Sequence, residues 1–256
     1  MSKTLILSDL HLGAVNAQAD AQLAVLHSDF DHLIINGDTV DHYDFRRFTP
    51  KHWAVLNRLR TIAQERDLVL LRGNHDWKST LSDDPNAGFR LLEHVLGVPM
   101  IDQHEIRVGR RKYLILHGDQ FDTTMNLSSI GDAADFIYRR VQTISRGTAR
   151  WLKAASKLVC GVVEQVKRRA CSYARAHRYE GVIAGHTHFC CDEAVGDMHY
   201  LNTGCWVEQP CTYLLLEGED IELRQWRLSN ESPIIVPARS RPKILWPSEA
   251  NYTEAV

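Results

Sequence analysis

The chain has 256 residues, 44% of them hydrophobic, and a formal net charge of -2. This length is enough for one large domain with a sizeable buried core, and the charge by itself favours no particular partner. No apolar run approaches the ~20 residues that a membrane-spanning helix needs. The six cysteines are too sparse for a disulfide scaffold.

The first half of the chain alternates between short apolar runs and amphipathic segments. We predict strands over 4–9, 32–37 and 68–73, because each of these apolar runs ends at a group of polar residues. We predict helices over 18–29, over 51–65 and from Pro85 to near Gly97. In the second of these, Trp53, Leu56, Leu59 and Ile62 recur at three-residue steps and predict a single apolar face.

The second half is richer in β structure. The segment EIRV-GRR-KYLILH is typical of a hairpin with Gly109 in its turn, and short strands are predicted in GVIAGH, EAVG, HYLNTG, TYLLLE and IELRQW. Two halves that each bury one sheet face predict two packed sheets flanked by helices. The N-terminal MSKTLILSD leads directly into the first strand without room for a secretory signal, so we expect a cytoplasmic protein with reduced thiols.

Residues 125–178 interrupt this pattern with apolar residues at helical spacing on both sides of Gly147. Eleven basic and three acidic side chains give this stretch a net charge of +8. We divide the chain into a core (1–124 and 179–228), a basic helical cap insertion (125–178) and a Pro-rich C-terminal tail (229–256). The basic charge has three interpretations. The insertion could contact an anionic membrane surface or a phosphorylated lipid, or it could simply be a solvated helical face. It could also bind nucleic acid, although it has few aromatic residues for base stacking.

Five apolar runs end on residues that can hold a metal ion. Chemistry collects at the carboxyl ends of strands in layered α/β folds. The metal-capable residues at these ends are Asp9, His11, Asp38, Asn74, His75, His117, His186 and His188.

The donors of this group are carboxylates, imidazoles and one carboxamide. This mixture suits Mn²⁺, Fe or Zn²⁺ better than a thiolate-based structural zinc site. A carboxylate such as Asp38 can bridge two cations, and a pocket with a small net positive charge suits a phosphate oxyanion. The pattern predicts a hydrolase with two divalent metal ions; we expect Mn²⁺ first, with Fe or Zn²⁺ as alternatives.

The motifs DLH, GD, GNHD, HGD and GHTH, in this order, resemble the signature of the calcineurin-like metallophosphoesterases. The resemblance implies a four-layer α/β-β/α sandwich with a helical cap. It also implies two metal sites that share one carboxylate, a histidine that meets the leaving group, and a carboxylate that orients this histidine. The first site is Asp9, His11, Asp38 and His188; the second is Asp38, Asn74, His117 and His186; the catalytic pair is His75 and Asp41.

Within this family, the HGDQFD stretch, the long helical insertion and the LNTGCWVE segment are most similar to the UDP-2,3-diacylglucosamine hydrolases of lipid A biosynthesis. That similarity implies cleavage of a nucleotide-linked lipid into UMP and a lipid monophosphate. It also implies a cytoplasmic protein that can lie peripherally on the inner face of the cytoplasmic membrane. Candidate substrate-binding residues are Asp122, Arg139 and Arg140. These hydrolases usually have GNRD where this chain has GNHD, so His75 is a departure from their pattern.

Two alternatives remain open. The first is a nuclease or nucleotide phosphodiesterase, and the second is a non-catalytic metal-binding scaffold of the same fold. The complete ligand set with His75 favours catalysis, whereas bound metals without turnover of any activated phosphodiester would favour the scaffold. The sequence predicts no protein partner.

Overall fold

The computed structural model describes residues 2–41, 45–76, 87–123, 149–226 and 234–236. The helices of this part are α1 (Ala19–Val25), α2 (Pro50–Glu65), α3 (Ala87–Leu96) and α4 (Ala149–Ala176), with 3-10 turns at Phe45–Arg47 and Asp119–Phe121. The strands are β1 (Lys3–Leu7), β2 (His32–Asn36), β3 (Asp67–Leu71), β4 (Met100–Ile101), β5 (Gln103–Val108), β6 (Arg111–Leu116), β7 (Gly181–Ala184), β8 (Cys191–Val195), β9 (Met198–Asn202), β10 (Thr212–Glu217), β11 (Asp220–Gln225) and β12 (Ile234–Ile235).

The strands form two sheets. The first has the order β12-β11-β10-β1-β2-β3-β4 and the second the order β5-β6-β7-β9-β8. Strands β1 to β4 run parallel to one another, as do β6, β7 and β9, so their carboxyl ends lie at common edges. The predicted α/β fold with two sheets and the hairpin at Gly109 are confirmed.

Successive side chains of each strand face opposite sides of the sheet, so the buried strand residues are divided among three hydrophobic clusters. Leu5 and Leu7 of β1 pack with α1, α2 and α3, whereas Ile6 faces the space between the sheets. In the second sheet Ile115 faces the same space, and Leu114 packs with α4. The layers are therefore helices, sheet, sheet and helix, which confirms the predicted four-layer sandwich.

Helix α2 begins with a capping box. The Thr49 side chain accepts from the His52 amide, the His52 ring bonds the Thr49 amide, and Pro50 is the first helical residue. The helix buries Leu56 and Leu59 against the first sheet, but Trp53 is 42% exposed. The assignment of Trp53 to the apolar face was therefore wrong; this residue packs on Phe45 and Phe48 of the preceding turn instead.

Helix α4 covers most of the C-terminal half of the predicted cap. Val166, Ala170 and Ala174 are fully buried, and the last two pack against the second sheet. Residues 166–174 therefore belong to the outer layer of the sandwich rather than to a separate cap. Residues 125–148, with Arg139 and Arg140, lie outside the described residues, so the boundaries of a cap stay a prediction.

Two further predictions concern membranes and the tail. Among the described helices, none combines the length and the apolar character that crossing a membrane would require. Residues 234–235 of the predicted tail form β12, which pairs with β11 at the edge of the first sheet. The start of the tail is therefore structured in part, because it extends a sheet, and the rest of it lies outside the described residues.

Candidate metal centre

The predicted metal-binding residues lie in loops at one edge of the sandwich. These loops follow β1, β2 and β3 of the first sheet and β6 and β7 of the second. Because the strands within each group are parallel, their carboxyl ends bring residues distant in sequence to one place. All seven predicted ligands lie in these five loops: Asp9, His11, Asp38, Asn74, His117, His186 and His188.

One group of donors comes from the loops after β1 and β7. His188 Nε2 lies 3.2 Å from Asp9 Oδ1 and 3.2 Å from His11 Nε2. His11 Nε2 lies 3.8 Å from Asp9 Oδ1. One donor atom from each of these three residues falls within 4.8 Å of the others, which is close enough to surround one ion.

A second group lies beside the first. His117 Nε2 is 3.3 Å from Asn74 Oδ1, and His186 Nδ1 is 2.9 Å from the same oxygen. Asp38 Oδ2 lies 3.3 Å from His117 Nε2 and 3.6 Å from His11 Nε2. Asp38 thus stands between the two groups, where the sequence predicted a bridging carboxylate.

The backbone is strained at most of these positions. Asp9, His11, Asp38, His186 and His188 have φ angles of 55°, 47°, 52°, 64° and 61°. Side-chain-bearing residues rarely adopt this left-handed region, and such strain persists where the surroundings hold the residue for function. Within the described residues, the sixth non-glycine residue with positive φ is Arg178.

Two glycines allow the loops to approach one another. A Cβ on Gly37 would overlap the His117 ring, and a Cβ on Gly73 would overlap the carboxylate and amide of Asp38. Gly37 also has a φ of +83°. The motifs GD and GNHD therefore need glycine because no side chain fits between these donors.

The two carboxylates are ionised in spite of their burial. Burial opposes ionisation of Asp9, but the neighbouring His188 and His11 outweigh it and lower the pKa of Asp9. In the same way burial opposes ionisation of Asp38, while the charge of His117 keeps its pKa well below the usual value. Burial disfavours the charged form of His117, but Asp38 outweighs it and raises the pKa of His117 to about 10.

These residues fit divalent cations. Asp9 Oδ1 is fully buried, and among the described residues no donor meets it with hydrogen-bond geometry. A buried anionic oxygen without a donor is costly, and a cation at this point would satisfy it. The carboxylate, imidazole and carboxamide donors are those that Mn²⁺, Fe and Zn²⁺ accept.

His75 lies at the side of this centre. Its amide donates to Asp38 Oδ1 at 2.7 Å, and its Nδ1 lies 3.0 Å from Asp41 Oδ1. Its ring meets the His11 ring edge to face, with 4.6 Å between centroids. The structure thus brings together the predicted catalytic pair next to the metal ligands, and their roles stay predictions.

The predicted substrate-binding residues are less well placed. Asp122 is buried, and its Oδ2 lies 3.0 Å from His186 Nε2, on the side of the ring opposite to Asn74. This contact orients a predicted metal ligand, since a carboxylate on the second ring nitrogen sets the tautomer and the ring angle. A contact of Asp122 with substrate stays a prediction.

Two residues of the site were missed by sequence reasoning. Asp76 is buried and accepts from the amides of Val40 at 3.1 Å and Gly73 at 3.0 Å, so it ties the loops after β2 and β3 together. Burial, with the charge of Asp38, raises the pKa of Asp76 to about 7. The sequence feature that could have identified Asp76 is its place as the last residue of the GNHD motif. Arg47, which contacts Asp41 at 2.8 Å, had no comparable signal.

Comparison with known proteins agrees with this site. A family model described as calcineurin-like phosphoesterase matches residues 2–190. The fold is similar to YfcE, a phosphoesterase from E. coli, with 17% sequence identity, a TM-score of 0.50, and coverage of 91% of this chain and 96% of that chain.

Two further solved structures are similar at lower scores. Vps29 from Chaetomium thermophilum has 12% identity and a TM-score of 0.48, with 92% of this chain and 95% of that chain covered. An archaeal phosphodiesterase has 16% identity and a TM-score of 0.45, with 91% of this chain and 99% of that chain covered. No curated protein sequence matches the chain. The family match covers most of the chain, so the chain belongs to the calcineurin-like phosphoesterase family and is a metal-dependent phosphoesterase.

Proposed function

We propose that the protein hydrolyses a phosphodiester or pyrophosphate bond with two divalent cations held at this edge of the sandwich. Asp9, His11, Asp38 and His188 hold the first ion; Asp38, Asn74, His117 and His186 hold the second. The observation that carries this assignment is the position of the Asp38 carboxylate. Its Oδ2 lies 3.6 Å from His11 Nε2 and 3.3 Å from His117 Nε2, one residue from each group.

Bound divalent ions supply an activated water and neutralise charge on the phosphoryl oxygens. The chain itself supplies the proton for the leaving group. Asp41 holds His75 through Nδ1 at 3.0 Å. We assign to Nε2 of the same ring the donation of a proton to the departing oxygen. A general acid in this position contributes roughly 10²–10⁴ to the rate. Water attacks phosphorus directly, so the reaction has no covalent enzyme intermediate.

The proposed substrate is UDP-2,3-diacylglucosamine or a related nucleotide-linked lipid. The HGDQFD and LNTGCWVE segments support it, because they are similar to those of the lipid A hydrolases. The +8 charge of residues 125–178 supports a site at an anionic membrane surface, where each cationic side chain contributes about 1 kcal/mol. Mn²⁺ is the proposed metal.

A nucleotide phosphodiesterase is the second candidate, and His75 favours it. The lipid A hydrolases usually carry arginine at this position of the GNHD motif, whereas this chain carries a histidine that Asp41 contacts. A histidine can protonate a leaving oxygen, while arginine remains charged and only binds. This chemistry suits a substrate whose leaving group needs a proton.

The test is a comparison of substrates on the Mn²⁺-loaded protein. UDP-2,3-diacylglucosamine in mixed micelles, a cyclic or dinucleotide phosphodiester, and bis(p-nitrophenyl) phosphate are incubated at equal concentration, and products are identified by mass spectrometry. Formation of UMP and a lipid monophosphate supports the lipid substrate. Preference for the nucleotide diester supports the second candidate. Two bound metals with no turnover of any of the three would refute catalysis and support the scaffold.

A further inference from the structure

Among the described residues, the carboxylate of Asp41 contacts both His75 and Arg47. Its Oδ1 lies 3.0 Å from His75 Nδ1, and its Oδ2 lies 2.8 Å from Arg47 Nη2. The Asp41 side chain is only 5% exposed, whereas that of Arg47 is 32% exposed. We propose that Arg47 is a positioning residue, which holds the Asp41 carboxylate at the angle that orients His75 toward the leaving group.

The physical reason is the freedom of a carboxylate to turn. The terminal torsion of aspartate is broad, so one hydrogen bond to His75 does not determine the plane of the carboxylate. A charge-assisted contact from Arg47 to the second oxygen adds a fixed point on the other side. With both oxygens engaged, rotation of the carboxylate would break two contacts at once. The His75 ring then keeps one orientation, and a misplacement of about 1 Å can cost on the order of 10² in rate.

Arg47 is itself held by its turn. It is the last residue of the 3-10 turn Phe45–Arg47, which the Phe48 amide closes by donating to the Phe45 carbonyl at 3.1 Å. Phe45 stacks on Trp53 of α2 with 5.5 Å between centroids, and Phe48 lies 5.0 Å from the same ring. The half-exposed Trp53 thus fixes the backbone from which Arg47 reaches Asp41.

This inference rests on the proposed function, because it needs His75 to act on the leaving group. It is distinct from a role of Arg47 in binding the phosphate. A phosphate-binding arginine raises KM when removed, whereas a residue that acts through His75 lowers kcat and leaves KM nearly unchanged. The effect of removing Arg47 should also vanish when His75 is absent, because Arg47 acts only through His75.

The kinetic experiment uses the Mn²⁺-loaded protein and two phosphodiesters, diphenyl phosphate and bis(p-nitrophenyl) phosphate. The variants are Arg47→Gln, Arg47→Lys, His75→Ala and the double variant Arg47→Gln/His75→Ala. Arg46→Gln is the matched control, because it removes one exposed positive charge from the same turn. Metal content is measured for each by elemental analysis.

We expect Arg47→Gln to lower kcat on diphenyl phosphate by about 10- to 100-fold, with KM within about twofold. The loss should be smaller on bis(p-nitrophenyl) phosphate, whose leaving group needs no proton. Arg47→Lys should retain part of the activity, and millimolar guanidinium should restore part of it to Arg47→Gln. In the His75→Ala background, Arg47→Gln should cause no further loss. A raised KM, or losses that multiply in the double variant, would overturn the inference.

An NMR measurement separates this inference from the proposed function. In the protein loaded with diamagnetic Zn²⁺, the His75 Nδ1–H proton, assigned by its loss in His75→Ala, should exchange with water faster in Arg47→Gln than in the wild type or Arg46→Gln. Unchanged exchange would refute the positioning role whatever the activity. A wild-type protein that is inactive on every phosphodiester but shows faster exchange in Arg47→Gln would refute the proposed function and leave the contact with Asp41 established.

Discussion

The amide of His75 donates a hydrogen bond of 2.7 Å to Oδ1 of Asp38, although the two residues lie on loops after different strands. Asp38 therefore uses its two oxygens differently. Oδ1 fixes the loop that carries His75, while Oδ2 faces His11 and His117. The predicted bridging carboxylate therefore also holds the loop of the predicted acid, because the same Asp38 side chain contacts the His75 amide and two predicted metal ligands.

Substitution of Asp38 tests the bridge. In Asp38→Ala the contacts of the carboxylate with the His75 amide, His11 and His117 are lost. At least one ion should therefore be released, and activity should fall by several orders of magnitude. Metal content by elemental analysis and the rate on bis(p-nitrophenyl) phosphate are the measurements. Asp29→Ala is the control, because Asp29 is 89% exposed and pairs with Lys3. Two bound metals with near-wild-type activity in Asp38→Ala would contradict the assignment.

Substitution of His75 separates chemistry from coordination. His75→Ala should keep both metals, because the predicted ligands lie on other residues and the His75 contact to Asp38 uses only its backbone. We expect kcat to fall by roughly 10²–10⁴, the contribution of a general acid. The loss should shrink as the leaving group becomes more acidic. Loss of metal from this variant would show that His75 is a ligand instead.

As the pH rises, the stability of the metal-free protein should decrease, whereas its affinity for metal should increase. Burial lowers the pKa of His117, but Asp38 outweighs it and raises the value from 6.5 to about 10. A folded-state pKa above the unfolded one gives stability that is fully present below pH 6.5 and is lost as the pH rises through about 10. A metal ion needs the neutral imidazole, so its binding displaces this proton and strengthens as the pH rises.

We therefore expect the Tm of the metal-free protein to fall between pH 6.5 and 8.5, relative to the variant His117→Gln, which lacks this group. The increase in Tm on adding Mn²⁺ should grow over the same interval. Differential scanning calorimetry at constant ionic strength measures both. Parallel pH dependence in the wild type and His117→Gln would show that His117 is not the responsible group.

Shortening the basic insertion tests its proposed role in substrate selection. Gln165 Nε2 donates to Thr123 Oγ1 at 2.6 Å, so a short Gly/Ser linker can replace residues 125–160 without disturbing the packed half of α4. Hydrolysis of bis(p-nitrophenyl) phosphate should remain, since every predicted metal ligand lies outside this stretch. Hydrolysis of UDP-2,3-diacylglucosamine and binding to anionic vesicles should collapse. Equal loss of both activities, with the fold intact, would reject the role of this insertion in substrate selection.

The buried ion pair between α4 and β8 should contribute to stability only as a pair. Lys167 Nζ lies 2.8 Å from Glu193 Oε2, and both side chains are less than a tenth exposed. Lys167→Met leaves the Glu193 charge buried, which costs about 3–5 kcal/mol, whereas Lys167→Met/Glu193→Leu should be nearly neutral. Urea unfolding of the metal-loaded protein measures both. Arg175→Gln, which breaks the exposed pair with Asp197, should change little.

Much of the metal centre could be predicted from the sequence because its signals are local. A polar donor such as Asp38 follows directly on an apolar run, and the flanking Gly37 marks a turn without room for a side chain. Parallel strands align their carboxyl ends, so the order of the motifs was sufficient to predict that they converge. Two halves that each bury one sheet face predicted two packed sheets flanked by helices, and the family resemblance implied the four layers.

The contacts that depend on packing between distant segments required the tertiary structure. By sequence Arg47 is one of many arginines. Its contact with Asp41 is seen only in the tertiary structure, where the neighbouring Phe45 stacks on Trp53. The apolar spacing of α4 was equally consistent with a cap and with an outer layer, because periodicity defines a buried face but not what covers it. The sequence by itself therefore determined which residues the strand ends present, since that depends on neighbours along the chain. Only the tertiary structure decided which side chains orient these residues and to which layer α4 belongs. Both depend on contacts between segments that are distant in sequence, and the sequence pattern does not distinguish between the possible contacts.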